Sequence, residues 1–132
     1  IKDALFSDSL ILDLVSLWSR LDHAIVGIGM SISRSPMLLT QYFTNTHLIQ
    51  MEQQGVVGDI CSRFFDKDGV LCDWDINERL VGISLDQLHK AKNVIGVAGG
   101  TVKTAAILAA LRGGHLDMLV TDEQTAKAIL RQ

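Results

Sequence analysis

The run Val94-Ile95-Gly96-Val97-Ala98-Gly99-Gly100, followed at once by Thr101-Val102-Lys103-Thr104, constrains the fold more than any other part of the chain. A short, β-branched, unbroken apolar segment reads as a strand covered on both faces, the pattern of parallel sheets, and the two glycines deliver it straight into a helix start. His23-Ala24-Ile25-Val26-Gly27-Ile28-Gly29 has the same character. Helical patterns surround these strands. Apolar residues recur at helical spacing from Leu10 to Leu21, so residues 8–21 should form an amphipathic helix capped by Ser7 or Asp8. Thr101–Leu111 is alanine-rich and stops at Gly113-Gly114, as a helix C-terminus does. Asp117–Val120 reads as the next strand, and Thr121 or Asp122 caps a last helix reaching about Leu130. This alternation predicts an α/β fold: a three-layer open sheet with helices on both faces.

The middle of the chain is less regular. Residues 30–38 read as loop, and 37–54 carry one or two helical turns ending near Gly55, with Asn45 or Thr46 as a cap. Val56–Phe65 reads as one strand, Asp66-Lys67-Asp68-Gly69 as a turn and Val70-Leu71-Cys72 as the return, a hairpin that sets Phe65 opposite Val70 and Cys72 opposite Arg63. Arg79–Ile83 reads as a further strand, and Ser84-Leu85-Asp86-Gln87 is a capping box before a helix over 85–90.

Charge and length exclude several functions. The 132 residues suit one domain, with a net charge of −3 and no basic run, so any DNA must be held by another part of the protein. No apolar stretch approaches the ~18 residues of a membrane span. Cys61 and Cys72 occur without a secretory pattern, which predicts free thiols and a cytoplasmic location. The abrupt start at Ile1 reads as a piece of a longer protein.

Three places could carry chemistry. Gly99, Gly100, Thr101 and Lys103 suit an anion, because glycines let backbone approach a ligand while the helix start and the lysine supply positive potential. The alternative is a tight turn with a solvated lysine. Asp59 interrupts an apolar strand, and burying its charge calls for either a structural hydrogen bond or a ligand with hydroxyls. Arg34, between Ser33 and Ser35, is either an anion contact or a solvated loop residue. No nucleotide loop, zinc spacing or nucleophile elbow is present, and the Asp66–Asp75 acids fail the calcium-loop positions, so no cofactor, metal or catalytic residue is predicted.

The ordered segments Gly27-Ile28-Gly29, Gly55-Val56-Val57-Gly58-Asp59-Ile60-Cys61-Ser62-Arg63-Phe64-Phe65-Asp66-Lys67-Asp68-Gly69, Asn77–Ser84, Val94–Lys103 and Leu119–Ala126 closely resemble the SorC family of bacterial sugar-responsive transcription regulators. The resemblance implies an effector-binding domain related in fold to glucosamine-6-phosphate deaminase, ribose-5-phosphate isomerase and CoA transferases, without catalysis. It implies a phosphorylated sugar or related metabolite as ligand, met by Asp59 and Lys103, with Arg34 a looser match for a phosphate contact. Residues 1–132 then correspond to the carboxy-terminal part of that domain. Operator DNA would be bound only through an amino-terminal helix-turn-helix outside this sequence, in a homodimer or tetramer. The competing readings are a sugar-phosphate isomerase or deaminase and a structural oligomerisation module.

Overall fold

The computed structural model describes residues 2–30, 43–73 and 76–132. Arg34 lies outside the described residues.

Helices α1 (Lys2–Leu5) and α2 (Ser9–Leu17) open the chain. The Asp8 carboxylate accepts from the N–H groups of Leu10 at 2.8 Å and Ile11 at 3.3 Å, satisfying donors that a helix start leaves open. A 3-10 turn, Trp18–Arg20, completes the helical stretch.

The strands form two three-stranded sheets. The first is parallel, with β1 (His23–Gly27) and β6 (Met118–Val120) on either side of β5 (Asn93–Val97). The second is antiparallel, with β3 (Gly58–Ile60) between β2 (Gly29–Met30) and β4 (Arg63–Phe65). Only Ile28 separates β1 from β2, so the chain crosses between sheets within one fully buried residue. Helix α3 (Asn45–Gln53) is capped by Thr44, and α5 (Leu85–Leu88) by the expected Ser84 box. Helix α6 (Thr104–Arg112) follows a 3-10 turn at Thr101–Lys103, and α7 (Glu123–Leu130) is capped by Asp122.

The main core lies between one face of the parallel sheet, the antiparallel sheet and α6. Ala24, Val26, Val94 and Ala98 meet Ile60, Phe65 and the Ala106, Ile107, Ala109 and Ala110 stripe of α6. Small residues let α6 come close: a β-carbon at Gly58 would stand 2.6 Å from that of Ala106. The parallel sheet is flanked by helices, and among the described residues one of its faces is covered. On the other, Ile25, Val97, Met118 and Val120 share a face by register and are open to solvent, Ile25 at 74% exposure.

Two local expectations need correction. Val56–Phe65 is not one strand, because Cys61 and Ser62 both take left-handed backbone (φ 53° and 61°) and fold β3 back onto β4. The Asp66–Gly69 turn is present, closed by Asp66 N–H on Val70 O at 3.0 Å, yet Phe65 bridges Leu71 rather than Val70, and the Cys72 N–H donates to Phe64 O at 2.9 Å. Arg79–Ile83 is not a strand either. Helix α4 (Ile76–Arg79) occupies its start, and the buried Arg63 guanidinium, which also bonds Asn77 O, takes up the carbonyls of Gly82 and Ile83 that a ladder would have used.

Candidate functional site

The parallel strands end together, and their last residues form one edge: Ile28-Gly29 after β1, Ala98–Gly100 after β5 and Thr121-Asp122 after β6. Open α/β sheets bind ligands in the crevice outside these carboxyl ends. Lys103, at the end of the 3-10 turn, reaches across that edge and donates from Nζ to Ile28 O at 2.9 Å. Asp59 pairs with Gly29 in the second sheet, and its carboxylate lies over that glycine. The two residues singled out in the sequence therefore meet at neighbouring positions of one crossing segment.

Asp59 has a structural partner as well. Its Oδ2 accepts from the Ser62 N–H at 3.1 Å, closing the Cys61-Ser62 turn. Burial pushes its carboxyl above the usual range, opposed by the Ser62 N–H and by the Lys103 charge. A carboxylate so placed gains from any donor that replaces lost water, and a ligand hydroxyl is such a donor.

The glycine turn is more occupied than the sequence suggests. Gly100 (φ 96°) donates its N–H to both Asp122 Oδ2 at 2.8 Å and Thr125 Oγ1 at 2.9 Å. The Thr125 hydroxyl in turn donates to Asp122 Oδ2 at 2.6 Å. The Thr125 hydroxyl, the Thr125 N–H and the Gly100 N–H together hold the Asp122 carboxyl down at about 2. One backbone donor expected to face an anion is thus taken by an internal one. Thr101 and Val102 begin the 3-10 turn, where N–H groups have no acceptor within the helix. Asp122 was legible only as a helix cap; its reach across to the neighbouring strand's turn depends on the β5–β6 pairing. Thr121 Oγ1, buried at the same edge, lacks a hydrogen-bond partner among the described residues.

Elsewhere, His89 and His115, remote in sequence, meet at 2.9 Å between Nε2 and Nδ1. His115 Nε2 faces Gly69 O at 2.7 Å, so Nε2 carries the proton and His115 Nδ1 accepts from His89. Among the described residues no group of three or more His, Cys, Asp or Glu could hold a metal ion, and no helix is long and apolar enough to cross a membrane. Cys61 is exposed, Cys72 buried, and both are free thiols.

A parallel sheet whose strand ends gather a carboxylate, a lysine and a glycine turn is the architecture of a small-molecule-binding α/β domain. A family model described as "Putative sugar-binding domain" matches residues 1–131, and the chain belongs to that family, whose relatives here are SorC-type transcriptional regulators. It is 36% identical over 116 residues to the sorbitol operon regulator of Klebsiella pneumoniae, covering 88% of this chain and 37% of that protein. With the deoxyribonucleoside regulator of Bacillus subtilis it shares 32% identity over 117 residues, 89% of this chain and 37% of the relative. The crystal structure of the full-length Klebsiella sorbitol regulator superposes with a TM-score of 0.88 at 33% identity, over 97% of this chain and 41% of that one. A DeoR family transcriptional regulator from Listeria monocytogenes gives 0.89 at 32% identity, over 97% of this chain and 52% of the other. The chain thus spans well under two-thirds of these relatives.

Proposed function

We propose that this chain is the effector-sensing part of a cytoplasmic, DNA-binding transcriptional regulator of carbohydrate metabolism, and that its effector is a phosphorylated sugar or sugar-like metabolite. The observation that carries this reading is the meeting of Asp59 and Lys103 at Ile28-Gly29, on the carboxyl edge of the parallel strands. Asp59 accepts from sugar hydroxyls. Lys103 supplies the cation for the ligand's anionic or polar end, with the Gly99-Gly100-Thr101 turn beside it. Because Asp122 already holds the Gly100 N–H, this half of the site suits hydroxyls better than a full phosphate dianion, and further phosphate contacts come from elsewhere, with Arg34 a candidate.

The chain corresponds to the carboxy-terminal part of the effector domain, and the open sheet face is where the remainder packs. DNA is bound by a separate amino-terminal unit, in a homodimer or tetramer. The ligand shifts operator binding by favouring one arrangement of the assembly. Sensing rather than turnover fits the residues at the edge, where a carboxylate, a lysine and backbone donors stand and, among the described residues, no nucleophile is paired to a base. Calorimetry of the intact protein with a panel of sugar phosphates and the matching free sugars tests this. The expected result is micromolar binding of one phosphorylated sugar, weakened roughly ten- to a hundredfold in Lys103→Ala, with no conversion of ribose-5-phosphate or glucosamine-6-phosphate. Turnover of either compound, or equal affinity in Lys103→Ala, overturns it.

A further inference from the structure

A second cleft, of about 410 Å³, lies away from the Asp59–Lys103 edge, between the Val15–Trp18 end of the first long helix and the Arg63, Leu71 and Leu85 side. We propose that it binds a small organic monoanion, a carboxylate with an apolar body, through Arg63. The inference is independent of the effector site.

Arg63 is 94% buried, leaving 6% exposed, and its three hydrogen bonds all go to backbone carbonyls, of Asn77, Gly82 and Ile83. No carboxylate pairs with it among the described residues. A guanidinium carries five N–H donors, so two remain, on a buried cation with no counter-ion among the described residues. That combination recruits a carboxylate, which accepts both in parallel geometry.

Arg63 and Lys2, set against the Asp86 carboxylate, leave one net positive charge on the wall, which matches a single negative charge on the ligand. A phosphate dianion would bring one charge too many into a cleft that already carries the Asp86 carboxylate. Trp18, Leu71 and Leu85 add an apolar stretch of wall, which suits a hydrocarbon or aromatic body. The size matches the lower range of small-molecule pockets.

The test is titration of phenylacetate into the intact protein, followed by the Trp18 indole N–H in a nitrogen-15 spectrum, beside phenylacetamide as the neutral analogue and inorganic phosphate. The expected result is a saturating shift with phenylacetate below about 10 mM, roughly tenfold weaker binding of phenylacetamide, and no shift with phosphate. Arg63→Lys, which keeps the charge and loses the fork, weakens phenylacetate roughly tenfold. Leu71→Trp, which fills the cleft from a partly exposed position and leaves Arg63 in place, abolishes the shift and covers the case in which Arg63→Lys does not fold. Equal response to acid and amide, a stronger response to phosphate, no response to phenylacetate, or binding that survives Leu71→Trp each overturns the assignment.

Discussion

The Asp59 carboxylate lies so close over Gly29 that a β-carbon there would stand 1.8 Å from Oδ1. Gly29→Ala must therefore displace Asp59, break its bond to the Ser62 N–H, or push β2 and β3 apart. Overpacking of this kind costs about 1–3 kcal/mol. Urea denaturation should show that loss, and effector affinity should fall with it; a Gly29→Ala protein of unchanged midpoint contradicts the packing.

Asp59→Asn and Lys103→Ala should each weaken effector binding roughly ten- to a hundredfold, the ~1.5–3 kcal/mol expected for one charge-assisted contact, while operator binding without effector stays intact. Asn keeps an oxygen for the Ser62 N–H, and the buried charge it removes was unfavourable, so Asp59→Asn should fold at least as stably as the parent at neutral pH. Calorimetry and thermal melting on the same samples separate the two effects.

Stability should fall on mild acidification. Burial and the neighbouring His89 push His115 below the usual imidazole range, with the Gly69 carbonyl opposing. A group that binds its proton less readily when folded favours the folded state fully above its unfolded pKa, about 6.5, and this advantage is lost as pH falls from there toward the depressed folded value. Asp122, held at about 2, behaves likewise lower down, its stabilisation disappearing from about 3.9 toward 2. Urea midpoints at a series of pH values should show both slopes, and His115→Gln should flatten the first.

Cys61 should react with Ellman's reagent well before Cys72. Cys61 is exposed in its turn, whereas Cys72 is buried and its thiol is pushed up to about 11, first by burial and then by Asp66. A Cys61–Cys72 bridge in a non-reduced peptide map would contradict the β3–β4 register.

Residues 1–132 expressed alone should self-associate through the open sheet face. Ile25, Val97, Met118 and Val120 make a contiguous apolar strip of the kind that marks an interaction surface. Light scattering should report a dimer or larger species with sugar-phosphate affinity no tighter than millimolar, and Ile25→Lys should shift it toward monomer. A monodisperse parent chain with micromolar affinity overturns this.

Much of the architecture is legible in periodicity. The helix following Asp8, the run from Val94 through Gly99-Gly100 into α6, and the cap at Asp122 all obey local rules of burial and helix capping. The β3–β4 turn is not legible because Cys61 and Ser62 rarely take the left-handed backbone it requires, and the Asp59 carboxylate that holds Ser62 sits in a segment with the composition of one continuous strand. Arg79–Ile83 has strand-like composition, but its carbonyls are captured by an arginine distant in sequence, which no local pattern reveals. His89 and His115 meet for the same reason, through packing of the Asp66–Gly69 turn against the end of α6. Asp59 and Lys103 could be chosen from the sequence because each departs from its surroundings, one as a charge in an apolar strand and the other as a cation at a helix start.

The Gly100 clamp also bears on preorganisation. Glycine loses more conformational freedom on folding than any other residue, and a Gly-Gly turn left loose would have to be immobilised at the moment a ligand arrived. Here Asp122 and Thr125 hold Gly100 at φ 96° through bonds made within the chain itself, and through it tie the start of α7 to the approach to α6. The entropy of ordering that turn belongs to folding, so association free energy at this edge is not diminished by it. Loosening the clamp, as in Asp122→Ala, transfers the ordering step to binding and should appear as a more unfavourable entropy of association even where every ligand contact is kept.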